Sequence, residues 1–198
     1  MPAEITVYGF ETSNSIKVRV ALGYKKIPYA FTTIDPADRS EIIRISGQHL
    51  TPVMVHGDRV LFDSAAILRY LDANFRDRPA LFGSSREEQW AIEDLELFAR
   101  AVLAAPMMEI VHRRVSGGSV DDAMQSRCSR AFQEASARLA GTLGGRAWLV
   151  GDAMTAADIT AGAVMHRVRK TGLFEPPPAK GALGDWEGRV MAFDRTPG

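Results

Sequence analysis

The stretch GQHLTPVMVHGDRVLFDSAAILRYL, residues 47–71, decides the fold because it orders a proline, a hairpin and a helix start. Two runs rich in β-forming residues, TPVMV and RVLF, flank HGD, which is typical of a two-strand hairpin. The apolar residues of the following run recur at helical spacing, with Asp63 or Ser64 as the expected N-cap. We therefore predict two antiparallel strands followed by a helix.

The chain before this stretch alternates strand and helix signals. EITVYGF (4–10) and IPYAFTTID (27–35) are rich in β-branched and aromatic residues, which favours strands. SIKVRVALG (15–23) predicts a helix with Gly23 as its C′ stop, and residues 35–46 predict a shorter helix. The order β-α-β-α-β-β-α predicts an α/β domain with one parallel strand pair and a terminal hairpin.

Strand signals disappear after RDRPALFGSS (76–85), whose Pro, Gly and Ser content is typical of a linker. We expect a first domain over 1–77, a linker over 78–85 and an all-helical domain over 86–198. Pro106 is expected to kink the first long helix, because proline removes a backbone N–H and clashes with the preceding turn. The predicted helical stretches are 86–114, 120–143, 154–172 and, shorter, 184–195, with breaks at SGGS and PPP.

Composition argues against several classes of partner. Lys+Arg and Asp+Glu both total 24, so no net charge draws the chain to nucleic acid or an anionic membrane. No apolar run approaches the ~20 residues that a membrane-spanning helix needs. The single cysteine, Cys128, allows neither an intramolecular disulfide nor a thiolate zinc cluster. We expect a cytoplasmic protein that needs no metal.

Thr51 and Pro52 stand where the first hairpin strand begins. Proline cannot donate to a sheet ladder, so it belongs at a strand's first residue or on an edge strand. Thr51 would be extended and would present its N–H and C=O on a sheet edge, where a bound peptide could pair with them. An ordinary strand start explains the same dipeptide.

Asp63 and Ser64 stand where a strand gives way to a helix. The free N–H groups of a helix start and the Ser64 hydroxyl would hold a carboxylate, and Asp63 would hold an ammonium. A γ-glutamyl group carries both charges on one α-carbon. Helix capping alone explains either residue singly.

Three stretches together resemble the glutathione S-transferase family, in particular bacterial members with a serine or threonine active site. They are residues 12–29, residues 47–71 and GDAMTAADITAGAV (151–164). The resemblance implies a thioredoxin-like N-terminal domain, an all-α C-terminal domain, a homodimer, and glutathione as cosubstrate. It also implies that Pro52 is cis, that Thr51 pairs with the cysteinyl part of glutathione, and that Asp63 and Ser64 bind its γ-glutamyl end.

The resemblance also assigns the residue that activates the glutathione thiol. Counting along the K/R-V-R motif of serine-type members gives Thr12, with threonine in place of serine, and the Thr-x-Asn pair of some bacterial members adds Asn14. Ser13 and Ser15 are the next candidates, and Tyr8 matches the position used in tyrosine-type members. Capping of the first helix is a further explanation for Thr12.

In MTAAD, Thr155 and Asp158 have the spacing of a capping box, and Met154 and Ile159 stand at the staple positions. We interpret this motif as structural.

The remaining expectation concerns the second substrate. A pocket for a small hydrophobic electrophile is expected near Phe10, Met107, Met108 and His112. The expected activity is conjugation of glutathione to that electrophile. Two alternatives stay open: a glutathione-dependent isomerase of small dienoic acids, using basic residues at 112–114, and a noncatalytic binding or regulatory protein on the same fold.

Overall fold

The computed structural model describes residues 4–178 and 181–195, and its elements follow the predicted order β-α-β-α-β-β-α and then helices. The first part contains β1 Ile5–Gly9, α1 Ser13–Tyr24, β2 Tyr29–Thr33, α2 Ser40–Ser46, β3 Val53–His56, β4 Arg59–Phe62 and α3 Ser64–Asn74. The second part contains α4 Arg86–Phe98, a π-helical turn Ala99–Leu103, α5 Ala105–Val115, α6 Asp122–Leu143, α7 Ala156–Thr171 and α8 Ala182–Met191. The thioredoxin-like α/β domain and the all-α domain are thus both present.

The sheet has the strand order β2-β1-β3-β4. β1 and β2 are parallel, with Val7 opposite Phe31, and β3 is antiparallel to both β1 and β4. The expectation that Thr51 begins an edge strand is therefore wrong, because β4 covers the outer side of β3. Thr51 lies in a bend just ahead of β3, outside the ladder.

Gly23 does not end α1, which continues to Tyr24 and is capped by Lys25. A Cβ atom on Gly23 would clash with the backbone oxygen of Phe193. The residue that adopts a left-handed conformation after the helix is Lys26, with φ 53°. Gly23 is therefore needed for the close approach of the C-terminal segment to α1, and its predicted role as a C′ stop is corrected.

The C-terminal segment is fixed to the α/β domain by an ion-pair cluster. Arg19 on α1 donates to both carboxylate oxygens of Asp194, at 2.7 and 2.8 Å, and to Glu11. Burial opposes the charge on Arg19, yet the bonds to Asp194 and Glu11 raise its pKa above the ordinary arginine value. The two sequence-distant parts of the chain are thereby held together.

The segment between α3 and α4, residues 75–85, contains no helix or strand and is mostly exposed, but Leu81 and Phe82 are buried. Leu81 is fully buried, its N–H donates to Asp72, and its carbonyl accepts from Ala156 at the start of α7. The buried ammonium of Lys25 also donates to Asp72, at 3.1 Å. The connection between the two halves is thus held by specific hydrogen bonds.

The helical half confirms two predictions about helix ends. Pro106 lies in the first turn of α5, where its missing N–H is not required, and the long helix is interrupted just before it. Asp158 accepts from the N–H of Thr155 at 3.0 Å, as the capping box requires, and also from Leu149 and Trp186. Burial raises the pKa of Asp158 although these donors oppose the shift. Across the described residues, no helix is both long and apolar enough to cross a membrane.

Candidate active site

A cleft of about 470 Å³ lies between the α/β domain and the helical domain. One wall comes from the start of α1, the bend before β3 and the start of α3, and the other from the helical domain. The lining residues are Ser13, Asn14, Lys17, Leu50, Thr51, Phe62, Asp63, Ser64, Arg100, Ala104, Met108, Thr160 and Val164.

Thr51 is half-buried at this cleft, and its bond to Pro52 is cis, as the resemblance implies. Within the described ranges, neither the N–H nor the C=O of Thr51 bonds another backbone group. Because these groups need partners, they are available to pair with an extended peptide in the cleft.

Asp63 is the N-cap of α3 and adopts the unusual φ of 68°. Its Oδ1 atom accepts from the N–H groups of Ala65 and Ala66, at 2.9 and 3.0 Å. Oδ2 accepts no hydrogen bond from the residues that the structure describes. The side chain therefore caps the helix with one oxygen and leaves the other available for a cation in the cleft.

Ser64 is 6% exposed, and its hydroxyl donates to Oδ1 of Asn14 at 3.2 Å. This bond joins two sequence motifs that lie 50 residues apart. The Asp63–Ser64 corner and the polar start of α1 thus form one continuous polar surface.

Thr12 is the N-cap of α1, as the capping explanation predicted. Its Oγ1 accepts from the N–H of Ser15 at 3.1 Å, and its hydroxyl donates to Ser15 Oγ, also at 3.1 Å. Ser13 and Asn14 line the cleft, whereas Thr12 does not and Ser15 is fully buried. Tyr8 also lies outside the lining and packs in a small cluster beneath the sheet.

Below the cleft lies a charged pair that sequence reasoning missed. Lys17 Nζ lies 3.2 Å from Glu96 Oε1, and the two side chains are 1% and 0% exposed. Glu96 Oε2 also accepts from Arg69, at 3.1 Å. Burial lowers the pKa of Lys17, although Glu96 opposes this shift. The sequence signal for this ion pair is Glu96, an acidic residue between Leu95 and Leu97 in α4.

Of the four residues expected to bind an electrophile, Met108 alone lines the cleft. Met107 is 3% exposed in the core, His112 is exposed on α5, and Phe10 lies under the guanidinium of Arg39.

The helical wall of the cleft is formed by residues that the sequence did not single out: Arg100, Ala104, Thr160 and Val164.

Cys128 does not belong to the cleft. It is 1% exposed on α6, lines a separate cavity between α5 and α6, and donates through its thiol to Glu109 at 3.5 Å. Burial raises the pKa of Cys128, which disfavours the reactive thiolate. In the part of the chain that the structure describes, no group of three or more His, Cys, Asp or Glu side chains could hold a metal ion.

The model of the glutathione S-transferase N-terminal domain matches residues 7–79, and that of the C-terminal domain matches residues 103–192. Glutathione S-transferase 1 of Dianthus caryophyllus is 31% identical over 83 residues, which is 39% of this chain and 38% of that protein. The matched part thus spans less than two fifths of this curated relative.

Solved structures match over nearly the whole chain. A glutathione S-transferase domain-containing protein from Marinobacter aquaeolei has 25% identity and a TM-score of 0.78, covering 94% of this chain and 97% of that one. Maleyl pyruvate isomerase, described as a bacterial glutathione S-transferase of the zeta class, has 20% identity and a TM-score of 0.78, covering 96% and 95%. The two domain models together span most of the sequence and lie on either side of the cleft, and the chain belongs to the glutathione S-transferase family.

Proposed function

We propose that this chain binds glutathione in the cleft and transfers its sulfur to a small apolar electrophile. The observation that carries the proposal is the combination, on one wall, of three groups: the Thr51 backbone and the Asp63 Oδ2 atom, neither of which has a partner among the described residues, and the Ser64 hydroxyl. These groups match the peptide backbone at the cysteine of glutathione and the ammonium and carboxylate that share the α-carbon of its γ-glutamyl end.

The γ-glutamyl end would be held at the start of α3. Its ammonium would pair with Oδ2 of Asp63. Its carboxylate would accept from the Ser64 hydroxyl, which would turn its proton from Asn14 Oδ1, and would benefit from the positive end of the helix dipole. The N–H and C=O of Thr51 would pair with the cysteinyl backbone. This arrangement directs the sulfur toward the start of α1.

The polar start of α1 would stabilise the thiolate. Lowering the thiol pKa from about 8.5 to about 6.5 requires about 2.7 kcal/mol of preference for the thiolate. One hydrogen bond to a charged acceptor contributes about 1.5–3 kcal/mol. Thr12 lies outside the cleft lining but directly precedes the lining residue Ser13, and its half-buried hydroxyl would supply this bond by turning its proton from Ser15 Oγ to the sulfur. A hydroxyl can still accept from the Ser15 N–H. Ser13 and Asn14 would complete the polar environment.

The transfer step itself is simple. The thiol proton is released to solvent, the thiolate forms a bond to the electrophilic carbon, and the leaving group departs with its electron pair. With a chloronitrobenzene the leaving group is chloride. The residues of this chain bind, orient and stabilise the thiolate, and no metal takes part.

A second candidate function is isomerisation of small dienoic acids with glutathione. The observation that favours it is Arg100 in the cleft, together with the structural similarity to maleyl pyruvate isomerase. The residues first considered for the substrate carboxylate, His112, Arg113 and Arg114, are exposed on α5 outside the lining, so Arg100 would take that role. Turnover assays separate the three functions. A transferase converts a chloronitrobenzene, an isomerase converts an acidic cis-diene, and a noncatalytic protein converts neither.

The assembly and location are also proposals. We propose a homodimer, as the family resemblance implies, in the cytoplasm. The exposed Phe62 and Trp90 are candidates for the contact between copies. Sedimentation of the purified chain at micromolar concentration should give the mass of a dimer, and a monomer mass would contradict this proposal.

Calorimetric titration with glutathione tests the binding proposal. Asp63→Asn is the sharp variant, because asparagine caps helices and tolerates positive φ as aspartate does but cannot pair with an ammonium. We expect it to weaken glutathione binding at least about ten-fold. Asp94→Asn, on the exposed face of α4, is the matched control. Equal affinity in all three proteins would refute the proposed site.

A further inference from the structure

Glu11 lies in the connection between β1 and α1, directly before Thr12. Among the described residues, neither Phe10 nor Glu11 forms a hydrogen bond from its backbone to another backbone group. A Cβ atom on Gly9, where the connection begins, would clash with the Ser15 hydroxyl. The connection is therefore tight, and its middle residue is fixed by its side chain rather than by its backbone.

The Glu11 carboxylate lies between two cationic groups from different parts of the chain. Its Oε2 atom accepts from Arg19 on α1, and its Oε1 atom accepts from Lys170 in the last turn of α7, both at 3.0 Å. Burial opposes the charge on Glu11, yet the hydrogen bonds from Arg19 and Lys170 lower its pKa below the ordinary glutamate value. The connection before Thr12 is thus tied both to α1 and to the helical domain.

The same arginine reaches the C-terminal segment that follows α8. Arg19, whose side chain is 5% exposed, donates through Nε and Nη2 to Asp194 and through Nη1 to Glu11. The carbonyl of Arg195 accepts from the Tyr29 hydroxyl at 2.6 Å, which holds the segment beside β2. A single guanidinium therefore joins the C-terminal segment to the connection between β1 and α1.

The place of this contact matters because the Thr12 hydroxyl is the proposed donor to the glutathione sulfur. The cap bond from the Ser15 N–H holds Thr12 on the side of α1, and the Glu11 carboxylate holds the chain on the side of β1. Hydrogen bonds weaken steeply as their geometry departs from the preferred one, and a displacement of about 1 Å in a site can cost about a hundred-fold in rate. A shift of the connection would therefore reach the sulfur through Thr12.

We infer that Glu11 is a positioning residue for the Thr12 hydroxyl. The C-terminal segment takes part, because Asp194 holds the Arg19 guanidinium that binds Glu11. This inference rests on the proposed function, since it concerns the thiol that Thr12 activates. It gives a role in thiolate formation to a segment that lies outside the cleft lining.

The thiol pKa of bound glutathione distinguishes positioning from two simpler roles of Glu11. Glu11→Gln keeps the shape of the side chain and removes its charge. A misplaced Thr12 hydroxyl would stabilise the thiolate less, so positioning predicts a higher thiol pKa. A carboxylate that acted only as a nearby negative charge would give the opposite result, because its loss favours the thiolate. An ion pair with only a structural role would lower the melting temperature and leave the thiol pKa unchanged.

The experiment titrates the glutathione complex of each protein with pH and follows the ultraviolet absorbance of the thiolate. We expect Glu11→Gln to raise the thiol pKa by about 0.5–1, which lowers the thiolate fraction about three- to ten-fold at pH values below the wild-type pKa. Turnover of a chloronitrobenzene should fall in parallel. Calorimetry should show that glutathione affinity changes less than about two-fold, because Thr51, Asp63 and Ser64 are untouched.

Asp194→Asn tests the role of the C-terminal segment and gives a second reading should Glu11→Gln fold poorly. It should raise the thiol pKa by a smaller amount, and it should add nothing in the double variant, because it acts through Glu11. Glu109→Gln is the matched control, since it breaks a two-bond pair with Arg127 outside the cleft lining. It should leave the thiol pKa at the wild-type value.

The wild-type titration and the variant titrations separate the two claims. A wild-type protein that does not bind glutathione, or binds it with an ordinary thiol pKa, contradicts the proposed function, and the inference fails with it. A wild-type protein that lowers the thiol pKa, together with an unchanged or lower value in Glu11→Gln and Asp194→Asn, leaves the proposed function standing and overturns the inference alone.

Discussion

Lys17 Nζ lies 3.2 Å from Glu96 Oε1, so an ion pair excluded from water joins the first helix of the α/β domain to the first helix of the helical domain. Removing both charges from water is expensive, and the pair is retained only because each charge has a partner. This contact lies directly beneath the cleft and links the stability of the interface to the position of α1.

Removing one member of this pair should be much worse than removing both. Glu96→Leu leaves the buried Lys17 ammonium unpaired and should lower the free energy of unfolding by about 3–5 kcal/mol. The double variant with Lys17→Met should recover much of that loss, because two apolar side chains of similar volume replace the pair. Urea denaturation measures both, and equal losses in the single and double variants would contradict this account.

Gly23→Ala should destabilise the protein although alanine favours helices. The added methyl group would meet the Phe193 oxygen and displace the C-terminal segment, at a cost of about 1–3 kcal/mol. Gly141→Ala, on α6 with no atom near its added Cβ, should instead stabilise by about 0.5–1 kcal/mol. Thermal unfolding compares the two, and a stabilised Gly23→Ala would show that the close approach is unimportant.

Thr160→Val should raise the stability of the unliganded protein. The substitution removes a buried hydroxyl that has no partner among the described residues, which should be worth about 1–3 kcal/mol. Urea unfolding without ligand measures this gain. A loss of stability would mean that the hydroxyl is bonded in the unliganded protein.

Thr12 should affect both stability and turnover, and the two effects can be separated. Thr12→Ala removes the N-cap of α1, costing about 1 kcal/mol, and should lower turnover more than glutathione affinity. Thr12→Ser keeps the hydroxyl both as helix cap and as donor to the thiolate. It should therefore keep the stability and the turnover of the wild-type protein. Ser13→Ala is the matched comparison on the cleft lining.

Steady-state kinetics and thermal unfolding of the same variants decide the role of Thr12. Full turnover in Thr12→Ala would remove it as the thiol activator. Lost turnover in Ser13→Ala would then assign that role to Ser13.

Local patterns were enough to predict the element order, the hairpin, the parallel pair and the capping box at Thr155 and Asp158. Each depends on residues close together in sequence, such as the turn at Gly57–Asp58 between β3 and β4. The strand-to-helix junction at Asp63 and Ser64 was predicted for the same reason, because the change from strand pattern to helix pattern is visible in the sequence.

Other features depend on residues far apart in the chain and could not be read from local patterns. Gly23 is needed because the backbone of Phe193 approaches it closely. The buried Lys17 has its ion-pair partner, Glu96, on the other domain. Which residues face the cleft depends on how the two domains pack, so the sequence did not show that Phe10, Met107 and His112 lie outside its lining. In the sequence Thr160 looks like an ordinary helix residue. It is distinguished only by its buried hydroxyl, which has no hydrogen-bond partner among the described residues.

The most direct test of the whole account is a crystal structure of the protein with glutathione. We predict density for the γ-glutamyl group between Asp63 and Ser64, the cysteinyl backbone paired with Thr51, and the sulfur beside the start of α1. An empty cleft at saturating glutathione, or glutathione bound with its γ-glutamyl end on the helical wall, would contradict the account.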